Sequence, residues 1–142
     1  YKLNLIAPFE IIKLARPYLA KQGGSIVNIA SVAGVRGVGS SLAYVASKGA
    51  LNSLTLGLAR ALGPEGIRVN AVSAGPIRTL AAAGIKDFRT MLDKAAAATP
   101  LRRNVTIEEV GNTAAFLCSE LASGITGEIT YVDGGYNVTA ST

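Results

Sequence analysis

The stretch LAYVASKGALNSLTLGLARALGPEGIRVNAVSA, residues 42–74, contains a helix, the end of that helix and the strand that follows it. The sequence predicts a long helix over 42–62. Gly63-Pro64 ends this helix, since proline cannot continue one and glycine commonly follows the last turn. Residues 67–74 then predict a buried strand. The stretch is therefore typical of a helix that leads into a buried strand.

The residues before this stretch repeat the arrangement. Apolar side chains at helical spacing predict a helix over 3–21, which stops at Gly23-Gly24. SIVNIAS, residues 25–31, is β-branched and apolar at both odd and even positions, as in a strand buried on both faces. The glycine-rich residues 32–41 predict a loop.

Three further elements follow. An alanine-rich segment favours a helix over 79–98, which Gly84 interrupts and Pro100 ends. A capping-box pattern, a threonine followed three residues later by a glutamate, predicts a helix over 106–121. GEITYVDGG, residues 127–135, predicts a third strand and a glycine turn.

This order of elements decides the fold class. Strands separated by crossover helices are parallel, so we expect an α/β fold with helices on both faces of a parallel sheet. Three strands are few for such a sheet, and no strand precedes the first helix. Residues 1–142 are therefore predicted to form a single partial domain, half of a larger sheet.

Composition excludes several classes of function. The net charge is +5, but the basic residues are scattered, Trp is absent, and the longest cluster is Arg102-Arg103, which argues against a nucleic-acid binder. Histidine is absent, which removes histidine acid–base chemistry and argues against a zinc site, so no metal is expected.

The same composition bears on the compartment. No apolar run approaches the roughly 18 residues of a membrane span. The first residues lack the basic, apolar and small-residue pattern of a signal peptide, so we expect none. Cys118 is the single cysteine, so a disulfide framework is excluded. We expect a cytoplasmic protein without membrane contact.

Tyr44 and Lys48 are the first candidates for chemistry. Residues four apart on a helix share a face, so the phenol and the ammonium can be neighbours. A nearby cation favours the phenolate, which would make Tyr44 a general acid or base for a carbonyl or alcohol oxygen. Ser31 lies at the carboxyl end of the first strand, where open α/β sheets bind ligands. The alternative is an ordinary aromatic side chain beside a lysine that extends to solvent.

Residues 3–62, from LNLIAPFEIIKLARPYLAKQGGSIVNIASVAG to AYVASKGALNSLTLGLARAL, resemble the second half of a short-chain dehydrogenase/reductase. The Asn–Ser–Tyr–Lys tetrad of that family matches Asn4, Ser31, Tyr44 and Lys48 in the family's spacing. The resemblance implies that Tyr44 is the acid/base and that Ser31 orients the substrate oxygen. It also implies that Lys48 lowers the Tyr44 pKa and binds the nicotinamide ribose, while Asn4 positions a water in the proton relay.

The later residues, from GPEGIRVNAVSAGPIRTLAAAGIKDFRTML to ITGEITYVDGG, are strongly similar to bacterial enoyl-acyl-carrier-protein reductase, a member of the same superfamily. That resemblance implies a cofactor loop at Gly75 and Pro76, with the Ile77 backbone on the nicotinamide carboxamide and Thr79 on the pyrophosphate. The cofactor is NAD or NADP. Residues 80–98 would form a mobile wall over an acyl chain.

The two resemblances differ at the active site. Enoyl reductases have a tyrosine that would fall at position 41, and an additional one that would fall at position 31, where this chain has Ser41 and Ser31. The catalytic segment therefore indicates a carbonyl or alcohol dehydrogenase, and the remainder an enoyl-thioester reductase. A natural mosaic, a divergent relative and an engineered chimera all remain open.

The resemblance maps to the later half of a Rossmann-type doubly wound sheet, and the strand–glycine–helix unit of the dinucleotide-binding half is absent. The glycines of VAGVRGVG, residues 32–39, follow a strand but lead into the Tyr44 segment. We therefore expect a complementary amino-terminal half, a homo-oligomer (commonly a tetramer in this family), or a fragment of a longer protein. Three hypotheses stand: a short-chain oxidoreductase, an enoyl-acyl-carrier-protein reductase, and a non-catalytic half-domain or assembly module.

Overall fold

The computed structural model describes residues 1–39, 41–79, 84 and 86–140, and the elements follow the predicted order. Helices separate successive strands, and the elements in chain order are α1 (Ala7–Leu19), β1 (Gly24–Ser31), α2 (Val32–Arg36), α3 (Leu42–Leu62), β2 (Ile67–Ala74), α4 (Phe88–Ala98), α5 (Ile107–Cys118) and β3 (Ile129–Val132).

The three strands form one parallel sheet in the order β1-β2-β3. The register aligns the three strand ends, because Ser31 pairs with Ala74 and Ala74 pairs with Val132. In the described part of the chain β1 has a neighbouring strand on one side only, and its Ile29 is 48% exposed. The prediction of a parallel α/β sheet is confirmed.

Apolar side chains of β2 build a core on both faces of the sheet. Ile67 and Val69, both fully buried, pack on one face with α1 and α3 through Ile12, Ala59 and Leu62. On the other face, a second cluster joins β2 to α5: Val72, Ala74, Val105, Val110, Leu117 and Ala122. Burial on both faces explains why β2 has apolar residues at both odd and even positions.

Two predicted boundaries around β1 differ from the structure. The first helix begins with a π-helical turn, Lys2–Ile6, and ends at Leu19 rather than residue 21. The predicted loop over 32–41 contains α2, a helix of five residues. Its glycines suggested a loop, but Ser31 caps the amino end of α2 and a left-handed glycine, Gly37, ends it.

Two boundaries in the later part also differ. Within 79–98 the structure has a helix from Phe88 to Ala98, and residues 80–83 and 85 lie outside the described residues. The capping box at α5 is present as predicted, but α5 ends at Cys118 and a 3-10 turn, Glu120–Ala122, completes the segment. The described residues include no helix that is both long and apolar enough to cross a bilayer.

Candidate active site

The three strand ends bring Ser31 and the start of the predicted cofactor loop to one edge of the sheet. Ser31, Ala74 and Val132 are aligned across the sheet, so the chain leaves all three strands at the same edge. Gly75 follows β2 directly, and Asp133 follows β3. The carboxyl edge of a parallel sheet is where α/β folds bind ligands, because the loops there converge.

Ser31 ends β1 and begins α2. Its Oγ accepts a hydrogen bond from the Ala33 amide at 3.2 Å, which caps α2 and fixes the side chain at the strand end. The side chain is half-buried. A hydroxyl that accepts one bond still has a proton to donate to a ligand oxygen.

Tyr44 lies in the first turn of α3 and is 43% exposed, so its phenol is accessible. Ser41, at the position where enoyl reductases would have a tyrosine, caps this helix by accepting from the Tyr44 amide at 3.3 Å. One turn later, the Lys48 ammonium lies 5.9 Å from the centroid of the Tyr44 ring. The predicted pair therefore shares a face of α3.

Lys48 also connects α3 to β1. Its Nζ donates to the Ile29 carbonyl oxygen at 2.8 Å, two residues before Ser31. Burial lowers the pKa of Lys48, because partial loss of water disfavours the charged form. The hydrogen bond holds the cation between the Tyr44 ring and the end of β1.

Asn4 lies in the π-helical turn and contacts the inner side of α3. Its Nδ2 donates to Ser47 Oγ at 3.2 Å, and Ser47 Oγ donates to the Tyr44 carbonyl oxygen at 2.8 Å. Ser47 is 1% exposed, so its hydroxyl lies on the buried face of α3. Asn4 thus supports the helix that carries Tyr44 and Lys48.

The predicted cofactor loop starts at the edge of the sheet beside the catalytic candidates. Gly75 donates its amide to the Val132 carbonyl at 2.9 Å, and a Cβ on Gly75 would lie 3.0 Å from the Asp133 Cα. Pro76, Ile77 and Thr79 follow with half-buried side chains, and Ile77 packs against the α5 core. Of the predicted acyl-chain wall, residues 80–83 and 85 lie outside the described residues.

Sequence reasoning missed three contacts that hold the site together. Ser47 joins Asn4 to α3, the Ile29 carbonyl holds Lys48, and Gly34 lies against the backbone of α3. Ser47 could have been found as a small polar residue beside Lys48 on the inner face of the helix. The other two depend on backbone positions, which residue types do not reveal.

Comparison with known proteins identifies the family of this chain. A family model described as "Enoyl-(Acyl carrier protein) reductase" matches residues 1–137. This chain belongs to that family of short-chain dehydrogenase/reductases. The matched range includes the segment in which Tyr44 and Lys48 have the dehydrogenase spacing.

Individual members of this reductase family match at high identity. The enoyl-[acyl-carrier-protein] reductase [NADH] FabI of Neisseria meningitidis serogroup B is 53% identical over 130 residues, which are 92% of this chain and 50% of that protein. The Escherichia coli K12 reductase of the same name is 45% identical over 137 residues, 95% of this chain and 52% of that protein.

A solved structure in the family agrees with the fold. The Bacillus cereus enoyl-acyl carrier protein reductase, solved with NADP+ and an indole naphthyridinone, matches with a TM-score of 0.88 and 41% identity. The match covers 95% of this chain and 52% of that one. The chain thus spans about half the length of the curated relatives it matches.

The lowered pKa of Lys48 predicts a pH dependence of stability. At pH values below the pKa of Lys48 in the folded state, the full free-energy cost of burying the ammonium lowers the stability of the fold. Between that pKa and the ordinary value near 10.5, the unfolded chain binds more protons than the folded one, so stability rises with pH. We expect the free energy of unfolding of the chain, minus that of Lys48→Met, to increase across this alkaline window.

Denaturant titrations at a series of pH values measure this difference. Lys21→Met is the matched control, because it removes an exposed lysine whose Nζ lies 5.5 Å from a tyrosine ring. A difference for Lys48→Met that stays flat or falls with pH would show that burial does not perturb this lysine.

Proposed function

We propose that residues 1–142 are the catalytic half of an NAD(P)-dependent oxidoreductase of the short-chain dehydrogenase/reductase type. In this proposal Tyr44 exchanges a proton with the substrate oxygen as hydride moves between the substrate carbon and the nicotinamide. The observation that supports it best is the position of the Lys48 ammonium, 2.8 Å from the Ile29 carbonyl and 5.9 Å from the Tyr44 ring centroid. A cation there stabilises negative charge on the phenolic oxygen in either direction of the reaction.

The chemistry of the donors fits a nicotinamide cofactor. An ammonium has three N–H donors, and the Ile29 carbonyl uses one, so Lys48 can also donate to ribose hydroxyls. We assign to the cofactor site Tyr44, Lys48, Gly75, Pro76, Ile77 and Thr79. When bound, the cofactor supplies or accepts the hydride. The names of the relatives, which specify NADH, and the Bacillus cereus structure with NADP+ support NAD or NADP.

The remaining catalytic roles go to Ser31 and Asn4. Ser31, held by its bond to the Ala33 amide, can donate its hydroxyl proton to the same substrate oxygen that Tyr44 protonates. Asn4, which donates a hydrogen bond to Ser47 Oγ, would position a water in the proton relay. Both assignments rest on the family resemblance and on the contacts that hold these side chains.

The test uses a complemented protein, in which residues 1–142 follow the amino-terminal half of the Neisseria meningitidis reductase. Tyr44→Phe removes the hydroxyl that carries the proton, and general acid–base catalysis contributes about 100- to 10,000-fold. We expect kcat for ketone reduction to fall by about that factor while circular dichroism is unchanged.

Tyr18→Phe is the control for this substitution. Tyr18 is 72% exposed, and the Nζ of Lys21 lies 5.5 Å from the centroid of its ring. It therefore forms a similar tyrosine–lysine pair at the end of α1, away from the proposed catalytic residues. We expect it to leave kcat unaltered. A Tyr44→Phe protein with near-normal kcat would refute the acid/base assignment.

Enoyl-acyl-carrier-protein reduction is the second candidate function. It is favoured by the family match over residues 1–137 and by the names of the relatives. The residue at the expected tyrosine position argues against it, since Ser41 is engaged in capping α3 and a serine hydroxyl is a far weaker acid than a phenol.

Parallel assays of the complemented protein separate the two functions. We expect nicotinamide oxidation with a ketone and much slower oxidation with an enoyl thioester, because Tyr44 is the available phenol. Faster turnover of the enoyl thioester would favour the second candidate. Turnover of neither substrate, with no cofactor binding, would favour the non-catalytic half-domain or assembly module.

We also propose that the chain works as a homo-oligomer. The first helical segment and α3 expose several large apolar side chains: Leu3 (81%), Ile11 (65%), Leu14 (74%), Tyr18 (72%), Leu42 (81%) and Leu56 (49%). In the family, helices at these positions pack against a second subunit. Light scattering of the complemented protein should give a mass of at least two copies, and Leu14→Glu should lower it. A monomeric mass would contradict the proposal.

A further inference from the structure

The carboxyl-terminal turn, residues 133–139, is bound to α2 by Arg36. The Arg36 Nη1 donates to the carbonyl oxygens of Thr139 at 2.8 Å, Asn137 at 2.9 Å and Tyr136 at 3.3 Å. The guanidinium carbon also lies 5.8 Å from the centroid of the Tyr136 ring. One side chain at the end of α2 thus satisfies three carbonyl groups of the turn that follows β3.

The other end of the carboxyl-terminal turn is bound beside the cofactor loop. Asp133, 4% exposed, accepts hydrogen bonds from the amides of Gly135 at 2.9 Å and Asn137 at 3.0 Å. Its Cα lies so close to Gly75 that a Cβ there would be 3.0 Å away. The turn therefore contacts the start of the cofactor loop at one end and Arg36 at the other.

The helix that carries Arg36 is itself joined to the catalytic residues. Ser31 caps its amino end, and Gly34 in its middle is so close to α3 that a Cβ would lie 2.6 Å from the Lys48 carbonyl carbon. A helix of five residues is too short to be stable by its own hydrogen bonds. Its position must be set by such contacts. The backbone of Ser31 is held by its pairing with Ala74 in the sheet, while its Oγ is bonded to α2 through the Ala33 amide, so the position of α2 bears on the Ser31 side chain.

We propose that Arg36 is a positioning residue, which holds α2 against the carboxyl-terminal turn and so fixes the orientation of the Ser31 side chain relative to the cofactor loop. This inference rests on the proposed function. Arginine suits the role because its planar guanidinium has several donors in a rigid arrangement, whereas lysine offers a compact charge on a flexible stem. The carboxyl-terminal turn then connects α2, whose amino end is capped by Ser31, to the start of the cofactor loop at Gly75.

Kinetics of the complemented protein test this role. Arg36→Met keeps an apolar stem and loses the donors. We expect its kcat to fall about 10- to 100-fold, since small misplacements of reacting groups have effects of this size. Hydride transfer should also become more rate-limiting, so the primary isotope effect with deuterated nicotinamide should rise. Arg36→Lys should retain more activity than Arg36→Met.

The control is Arg60→Met, at an exposed position in the last turn of α3. Twelve residues separate it from Lys48, or about 18 Å along the helix. Loss of folded protein alone would lower kcat without altering the isotope effect, so the isotope effect separates positioning from simple destabilisation. We expect Arg60→Met to alter neither quantity.

Hydrogen exchange of the same proteins gives an independent measurement. In Arg36→Met the amides of Ala33 and Asn137 should exchange faster, because Arg36 no longer joins α2 to the carboxyl-terminal turn. Unchanged exchange at these amides, or an unchanged kcat and isotope effect in an active protein, would overturn the inference. An inactive parent protein would instead refute the proposed function, and this inference with it.

Discussion

The hydrogen bond from the Lys48 ammonium to the Ile29 carbonyl is the contact on which the geometry of the site depends. It joins the first turns of α3 to the last residues of β1 at 2.8 Å. Tyr44 lies one turn before Lys48, and Ser31 lies two residues after Ile29, so this bond sets the two candidate groups relative to each other. The partial burial that lowers the Lys48 pKa also strengthens the interaction of its charge with the phenol and the carbonyl.

Close backbone approach supports this arrangement at two glycines. Gly34 lets α2 lie against the backbone of α3 at Lys48, and Gly75 lets the cofactor loop lie against Asp133. At each position a methyl group would meet backbone atoms at 3.0 Å or less, so any larger residue would push the elements apart. The site is thus built from helices and loops whose spacing leaves no room for side chains at these points.

The sequence predicted the parallel sheet and its helices well, because their signals are local. Runs of β-branched residues identify the strands, and Gly63-Pro64 ends α3 where expected. The five-residue helix α2 was predicted as a loop, since its glycines outweigh any helical signal and its stability comes from distant contacts. Arg36 binds carbonyls 100 to 103 residues away, a relation that no local pattern contains.

In the candidate site, too, local sequence patterns predicted some features and distant contacts determine the others. The spacing of Tyr44 and Lys48 was enough to put them on one face of a helix, and family resemblance added Ser31 and Asn4. The link from Asn4 to Ser47 crosses 43 residues and follows only from the packing of the first turn on α3. Sequence therefore gives the residue types of a site, while the distances between them require the fold.

A crystal structure of the complemented protein with a nicotinamide cofactor and an alcohol or ketone would test the central claim most directly. The account predicts that the substrate oxygen lies within hydrogen-bond distance, about 2.6 to 3.2 Å, of both Tyr44 Oη and Ser31 Oγ. It also predicts that Lys48 contacts the nicotinamide ribose. A substrate oxygen bound away from Tyr44, with Lys48 remote from the ribose, would contradict it.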